Sequence, residues 1–222
     1  MSDSIEGATT AIPRRPAAGE DPAKREQILD GAQCVFWRMG FDAASMNDIT
    51  REAGVSKGTL YVYFENKEDL FAAMVDRNRM RIVNLIREAL EGDLPLEETL
   101  LRFGRTFATH LCSDKAVKGA RMVLGVIDRM PALANRFFAT GPNSGPMLLV
   151  SYIDRHVKAG NLAEGIDSTI AARQFAELCM AGLFRARLFG AMPTPPTEEE
   201  VERTVRSAVA MFLKPYGRNQ PV

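Results

Sequence analysis

Few residues in this chain could build a disulfide framework, a metal cluster or a membrane span. The 222 residues include 3 cysteines, 2 histidines and 1 tryptophan. Cys34, Cys112 and Cys179 are odd in number and far apart, which argues against a disulfide framework and against clustered zinc ligands. They read as reduced, buried small hydrophobes. No apolar run approaches the ~20 residues that span a bilayer, and the N-terminus, with Ser2, Asp3 and Glu6, lacks the apolar stretch of a secretory signal. The expected location is therefore the cytoplasm, with no membrane partner, no metal and no cofactor. An excess of one charge is also missing. Lys plus Arg and Asp plus Glu number 28 each, so evidence for a polyanionic partner has to be local. Strand-like alternation and internal repeats are absent too, which leaves an all-α fold.

Helix punctuation is what the sequence does contain. Residues 1–20 are rich in Ala, Gly, Pro, Ser and Thr and read as a flexible arm carrying Arg14 and Arg15. Those two arginines suit either a minor-groove arm or a solvated tail. Asp21 before Pro22 is an N-cap and first-turn signal. Ile28, Ala32, Val35, Phe36 and Met39 continue at helical spacing to Gly40, which reads as a left-handed C-cap with Phe41. Ser45 to Asp48 forms a capping box for a short helix that ends at Gly54. Ser56 caps a third helix in which Leu60 and Phe64 face inward with Val55. Asn66 and Asp69 open a long fourth helix whose Leu70, Phe71 and Met74 close a small core.

Two short helices joined at a glycine turn, preceded by a core helix, have the layout of a helix-turn-helix at 45–64 within a domain at 22–82. The outward residues of its last helix, Lys57, Gly58, Thr59, Tyr61, Val62 and Tyr63, offer a cation, bare backbone, hydroxyls and an apolar contact. Phosphates, base edges and a thymine methyl can use all of these. Gly58 should cost about 1 kcal/mol in a helix, so a surface glycine there suggests close approach by a partner. Lys67 adds a cation at a helix start for a flanking phosphate. Acidic side chains nevertheless outnumber basic ones through Leu70, so non-specific affinity should be weak. A small reading helix then needs a symmetric dimer on a palindromic operator.

The run from Gly54 to Leu70, and residues 24–74 more broadly, resembles the DNA-binding domain of the TetR family. That resemblance implies that Lys57, Thr59, Tyr61, Tyr63 and Lys67 touch the duplex, and Ser45, Ser56, Gly58 and Val62 complete the candidate DNA-binding set. Tyr61 and Tyr63 would sit on phosphates, with Lys57 and Thr59 near bases or backbone. The chain from about Leu94 resembles, in its helix order, the AefR-like regulatory domains. The expected architecture is an N-terminal three-helix helix-turn-helix domain joined by a long helix to a helical bundle at 94–215 that binds a small-molecule effector and dimerises.

Within that bundle, Phe103, Phe107, His110, Met122, Met147, Phe175, Cys179 and Phe184 are candidates to line an apolar effector cavity, although each alone suits a core. Arg102 and Arg121 could anchor an acidic ligand group or simply be solvated. Ala171, Ala181 and Gly182 on one late helix, with Val205, Ala208, Val209 and Phe212 on the last, could pair with their mates in a homodimeric four-helix bundle. His110 and Cys112 lie two apart and face different directions, which disfavours a metal site, and His156 has no companion. The histidines and cysteines show no convergent catalytic arrangement, so an enzyme is not expected. The competing reading is an architectural DNA-binding protein that responds to no ligand.

Overall fold

The computed structural model describes residues 19–132 and 144–217. Among these residues there are ten helices and no strand; one isolated antiparallel bridge joins Leu162 to Gly217. In chain order the helices are α1 (Pro22–Ala43), α2 (Met46–Ala53), α3 (Lys57–Tyr63), α4 (Lys67–Leu90), α5 (Leu96–Leu111), α6 (Asp114–Val126), α7 (Gly145–Lys158), α8 (Ser168–Cys179), α9 (Phe184–Leu188) and α10 (Glu198–Tyr216). The caps are the ones the sequence advertises. Asp21 accepts from the N–H groups of Ala23 and Lys24, and Ser45 and Thr197 build complete capping boxes.

Two helices run past a residue that ordinarily ends one. Gly40 takes φ 78° and ψ 169°, so it kinks α1 and lets one more turn form through Ala43. The kink turns Phe41 inward, where it packs on Phe36 and Phe71 with ring centroids 5.7 and 4.9 Å away. At the other end, Pro215 lies inside α10, because a proline in the final turn removes only one intrahelical hydrogen bond.

Two apolar cores result. The first gathers α1, α2 and α3 around Leu70 to Val75 of α4, and it also takes in Val123 and Val126 of α6. The second begins at Ile86, Ala89 and Leu90 of the same α4 and continues through α5, α7, α8 and α10. Helix α4 thus belongs to both cores, and α6 reaches back across the boundary read from the sequence. Arg77 locks the first half of α4 to α1, donating to Glu26, Asp30, Gln33 and the Leu29 carbonyl. Cys34 is exposed, unlike Cys112 and Cys179, so the reading of all three cysteines as buried fails for the first.

Gly104 lets α5 approach α8 and α10. A Cβ at that position would lie 2.5 Å from Val205 Cγ1 and 3.0 Å from Cys179 Sγ, whereas one at Gly119 would meet nothing within 4 Å. Gly104→Ala should therefore destabilise the fold by about 1–3 kcal/mol through overpacking. Gly119→Ala should be neutral or stabilise by up to about 1 kcal/mol. Urea unfolding midpoints of the two variants provide the check.

Candidate nucleic-acid interface

The helix-turn-helix is held from behind by close packing. A Cβ on Gly31 would come within 2.6 Å of the Ala53 Cβ, so α1 and α2 meet where only glycine fits. Gln27 completes the joint by donating to the Ala53 carbonyl at 2.6 Å. Ser45 Oγ accepts from the Asp48 N–H at 3.2 Å, and the Asp48 carboxylate accepts from the Ser45 N–H at 3.2 Å. The Ser45 hydroxyl first, then nearby Arg51, holds the Asp48 carboxyl below the usual carboxylate range. Helix α2 then ends at Gly54 in the left-handed region, φ 62° and ψ 36°.

Seating of α3 follows from its two inward residues. Leu60 and Phe64 are buried in the first core, which turns Lys57, Gly58, Tyr61 and Val62 to the surface. Tyr61 is 45% and Val62 51% exposed, side by side on that face. Ser56 Oγ accepts from the Thr59 N–H at 3.0 Å and lies 2.8 Å from the Thr59 hydroxyl, so half-buried Thr59 is ordered by the cap. The Lys57 ammonium lies 5.9 Å from the centre of the Tyr61 ring. At Gly58 an added Cβ would find only Ser56 Oγ, 3.9 Å away, so the helix's own packing does not demand glycine there. Tyr63 is half-buried, and its hydroxyl accepts from the Asp21 N–H at 3.3 Å.

Lys67 differs from expectation. Instead of reaching for a flanking phosphate, its ammonium donates to the carbonyls of Phe41, Ala44 and Asp42 at 2.8, 3.0 and 3.3 Å, and it sits 4.4 Å from the centre of the Phe41 ring. Those carbonyls lie at the end of α1, where the helix dipole favours a cation. Lys67 is therefore a positioning residue that ties the start of α4 to the turn between α1 and α2. Asp42 extends this node to the turn after α6, accepting from Arg129 at 2.8 and 3.0 Å. That pairing holds the Asp42 carboxyl below the usual range.

The bundle candidates do not form one group. Phe103 lies between Phe107, stacked on it with centroids 5.3 Å apart, and Phe175, tilted against it at 5.7 Å, and Phe175 continues to Phe212 at 4.9 Å. Phe103, Phe175 and Cys179 are fully enclosed, and burial pushes the Cys179 thiol up to about 12. Phe107, Met147 and Phe184 are half-buried against the same core. His110 is also half-buried, and desolvation lowers its pKa. Met122 separates from the set, because it packs on the DNA-side core instead. Arg102 and Arg121 are taken up by carbonyls at helix ends: Arg102 by Ala89 and Glu91, Arg121 by Leu188 and Arg187. His156 pairs with the Asn161 side chain at 3.0 Å.

The dimer candidates need correction for the same reason. Ala171, Val205, Ala208, Val209 and Phe212 are buried in the chain's own second core, so they present no surface to a mate. Only Ala181 and Gly182 of that set are exposed. The outer faces of the same helices carry Ile170, 51% exposed, and Met211, 58% exposed. Sequence reasoning also missed Arg187. It is buried and donates to the Cys112 and Met192 carbonyls at 3.0 and 2.9 Å and to Asp114. A cationic residue in a helix pattern reads as solvated, and its burial depends on partners 73 and 75 residues away.

Lys57 and Lys67 should respond differently to removal. Lys67→Ala leaves three carbonyls without their charged donor and should cost about 1.5–3 kcal/mol in stability. Lys57→Ala should leave stability within about 0.5 kcal/mol while lowering the salt slope of DNA binding by about one unit. Thermal unfolding together with salt titrations of duplex binding separates the two roles.

Residues 28–74 match the family described as bacterial regulatory proteins, tetR family, and residues 98–218 match the AefR-like transcriptional repressor C-terminal domain. Among curated relatives, the chain is 36% identical over 97 residues to the transcriptional activator FasR of Mycolicibacterium smegmatis, covering 40% of this chain and 44% of that protein. It is 26% identical over 151 residues to the Escherichia coli repressor ComR, covering 68% and 60%. The matched parts thus span about half the length of these relatives. Among solved structures, the fold is similar to a protein assigned to the TetR family from Mesorhizobium loti, with TM-score 0.80 at 25% identity over 88% of this chain and 98% of that one. It is also similar to the flavonoid-responsive regulator FrrA, with TM-score 0.68 at 31% identity over 90% and 100%. The chain belongs to the TetR family of DNA-binding transcriptional regulators, with a C-terminal domain of the AefR-like type.

Proposed function

We infer that this regulator is a homodimeric repressor, released from a palindromic operator when a small apolar or amphipathic effector binds its C-terminal domain. The observation that carries the reading is the face of α3. Lys57, Gly58, Tyr61 and Val62 stand exposed on a helix seven residues long whose other side is buried by Leu60. An element so short makes few contacts, so useful affinity calls for two copies spaced by about one helical turn of DNA, roughly 34–36 Å. The surface for pairing shifts from the buried residues to the outer faces of α8 and α10, around Ile170, Ala181, Gly182 and Met211. In this reading Lys57, Tyr61 and Tyr63 meet phosphates. Thr59 and Val62 sense bases, and Ser45 and Ser56 bring helix N-termini toward the backbone.

Repression, as opposed to activation, is favoured by the AefR-like repressor domain, although FasR is an activator. An apolar effector is favoured by half-buried Phe107, Met147 and Phe184 beside the enclosed Phe103 and Phe175, with His110 of α5 as a polar contact. The similar regulator FrrA is flavonoid-responsive, and a flat aromatic effector of that kind fits contacts between aromatic rings. Release works as a population shift. The effector binds better to the arrangement in which α4, held in both cores, is tilted so that the two α3 helices lose register with the operator.

Selection of bound fragments from random duplexes should return inverted repeats. A Val62→Ala variant should shift the base preference within each half-site while Lys57→Ala weakens binding uniformly. Recovery of unrelated sequences would contradict specific recognition. Ile170→Glu with Met211→Glu should yield monomers in sedimentation at micromolar concentration and lower operator affinity by at least about tenfold. An intact dimer would rule out this surface. An effector that abolishes operator binding should bind less tightly when operator is saturating; equal affinity with and without DNA would refute the coupling.

A further inference from the structure

One stripe of α4 runs Val75, Arg79, Ile82, Val83, Ile86 and Leu90, at the three- and four-residue spacing of a single helix face. Val75 belongs to the first core, while Ile82 and Ile86 pack with the second. An arginine thus occupies the position between two apolar cores. Arg79 is half-buried, its Nε is shut off from solvent, and among the described residues it makes no hydrogen bond or ion pair. Arg77, two residues earlier, donates to four acceptors of α1. A partly enclosed guanidinium without an acceptor is costly, and an anionic ligand would offset that cost.

A second unpartnered group lies on the helix that faces this stripe. Ser144, the N-cap of α7, is 2% exposed, yet its hydroxyl neither caps the helix nor makes another hydrogen bond. The next residue, Gly145, abuts α4, because an added Cβ would sit 2.8 Å from Ile86 Cδ1. Ile86 is two turns, about 10.5 Å, beyond Arg79 on the same face. Further along α7, the Tyr152 hydroxyl meets the Thr99 side chain. Thr99 in turn donates to the Leu94 carbonyl at 3.3 Å, past the end of α4. The two helices therefore run the same way, and the N-terminus of α7 points back along α4 toward Arg79. That end carries the positive pole of the α7 dipole and has no side-chain cap. A guanidinium, a buried hydroxyl and a helix N-terminus all border one stretch of α4. Met147, packed on the bundle core, follows at once.

We propose that Arg79, Ser144 and the N-terminus of α7 hold the carboxylate of an amphipathic effector whose apolar body lies against Met147 and the bundle core. Other arginines considered for a polyanion or an acidic ligand are committed or undescribed. Arg102 and Arg121 are held by carbonyls, and Arg14 and Arg15 lie outside the described residues. The proposal rests on effector binding to the C-terminal domain and adds the charge that the effector carries. A carboxylate on Arg79 would neutralise a cation in the stretch of α4 between the two cores, the helix that couples effector to operator.

The probes are decanoate and 2-naphthoate, each beside its uncharged amide, titrated into the full chain with and without the selected operator. Each carboxylate should bind at least about tenfold more tightly than its amide. Arg79→Gln should erase that preference, and Arg79→Lys should restore part of it. Ser144→Ala should weaken carboxylate binding and leave the amides unchanged. Without ligand, Arg79→Met should unfold at the parent's urea midpoint or above it, because it removes a charge that has no partner; a lower midpoint would mark Arg79 as structural and contradict the proposal. A parent that binds no carboxylate, or binds it no better than the amide, overturns the anchor, as does a preference that survives in Arg79→Gln. If amides and carboxylates release operator equally, the anchor fails while effector control stands. If carboxylates bind through Arg79 and leave operator affinity unchanged, the anchor stands and the release reading fails.

Discussion

The recognition surface depends on the insertion of Leu60 and Phe64 into a core built on Phe36, Phe41 and Phe71. Because those two residues are four apart on a helix of seven, fixing them leaves no rotational freedom for the rest. Lys57, Tyr61 and Val62 have to stand outward. The aromatic cluster stiffens the seat, with Phe36 and Phe71 meeting edge to face at 5.3 Å. Gly31 and Gly40 make it possible, the first by admitting α2 and the second by bending α1 so that Phe41 turns inward.

The helix-turn-helix part and the C-terminal bundle share helices and not merely an interface. One end of α4 is core to the DNA-reading part and the other end is core to the bundle, and the last half of α6 packs back on the former through Val123 and Val126. Charged contacts reinforce this sharing at the surface: Lys67 and Arg129 both converge on the end of α1 through Asp42. The exposed Arg129–Asp42 pair stabilises little by itself, so the buried valines carry most of the linkage. Arg121 and Arg187 carry it further, holding the middle and the start of α6 against α9, and Arg187 also holds the loop after α9 through the Met192 carbonyl.

Local signals made much of this legible in the sequence. Caps at Asp21, Ser45, Ser56, Asn66 and Thr197 act within three residues of themselves, so they identify helix starts without knowledge of the fold. The inward pair Leu60 and Phe64 is local in the same sense. What stayed hidden was which face of a late helix is inner. Val205, Val209 and Phe212 form a stripe that suits a core or a dimer seam equally, and only the placement of α5 and α8 against α10 decides for the core. The carbonyl site of Lys67 was hidden for a related reason, since its three partners lie 23 to 26 residues back and become a site only when α1 kinks at Gly40.

The central claim is that the outer face of α3 meets DNA, and amide hydrogen exchange with and without the selected duplex tests it most directly. Exchange across Ser56 to Phe64 should slow on binding, while Val205, Ala208, Val209 and Phe212 on the inner face of α10 should be unchanged. Unaltered exchange throughout α3 in a saturated complex would contradict it.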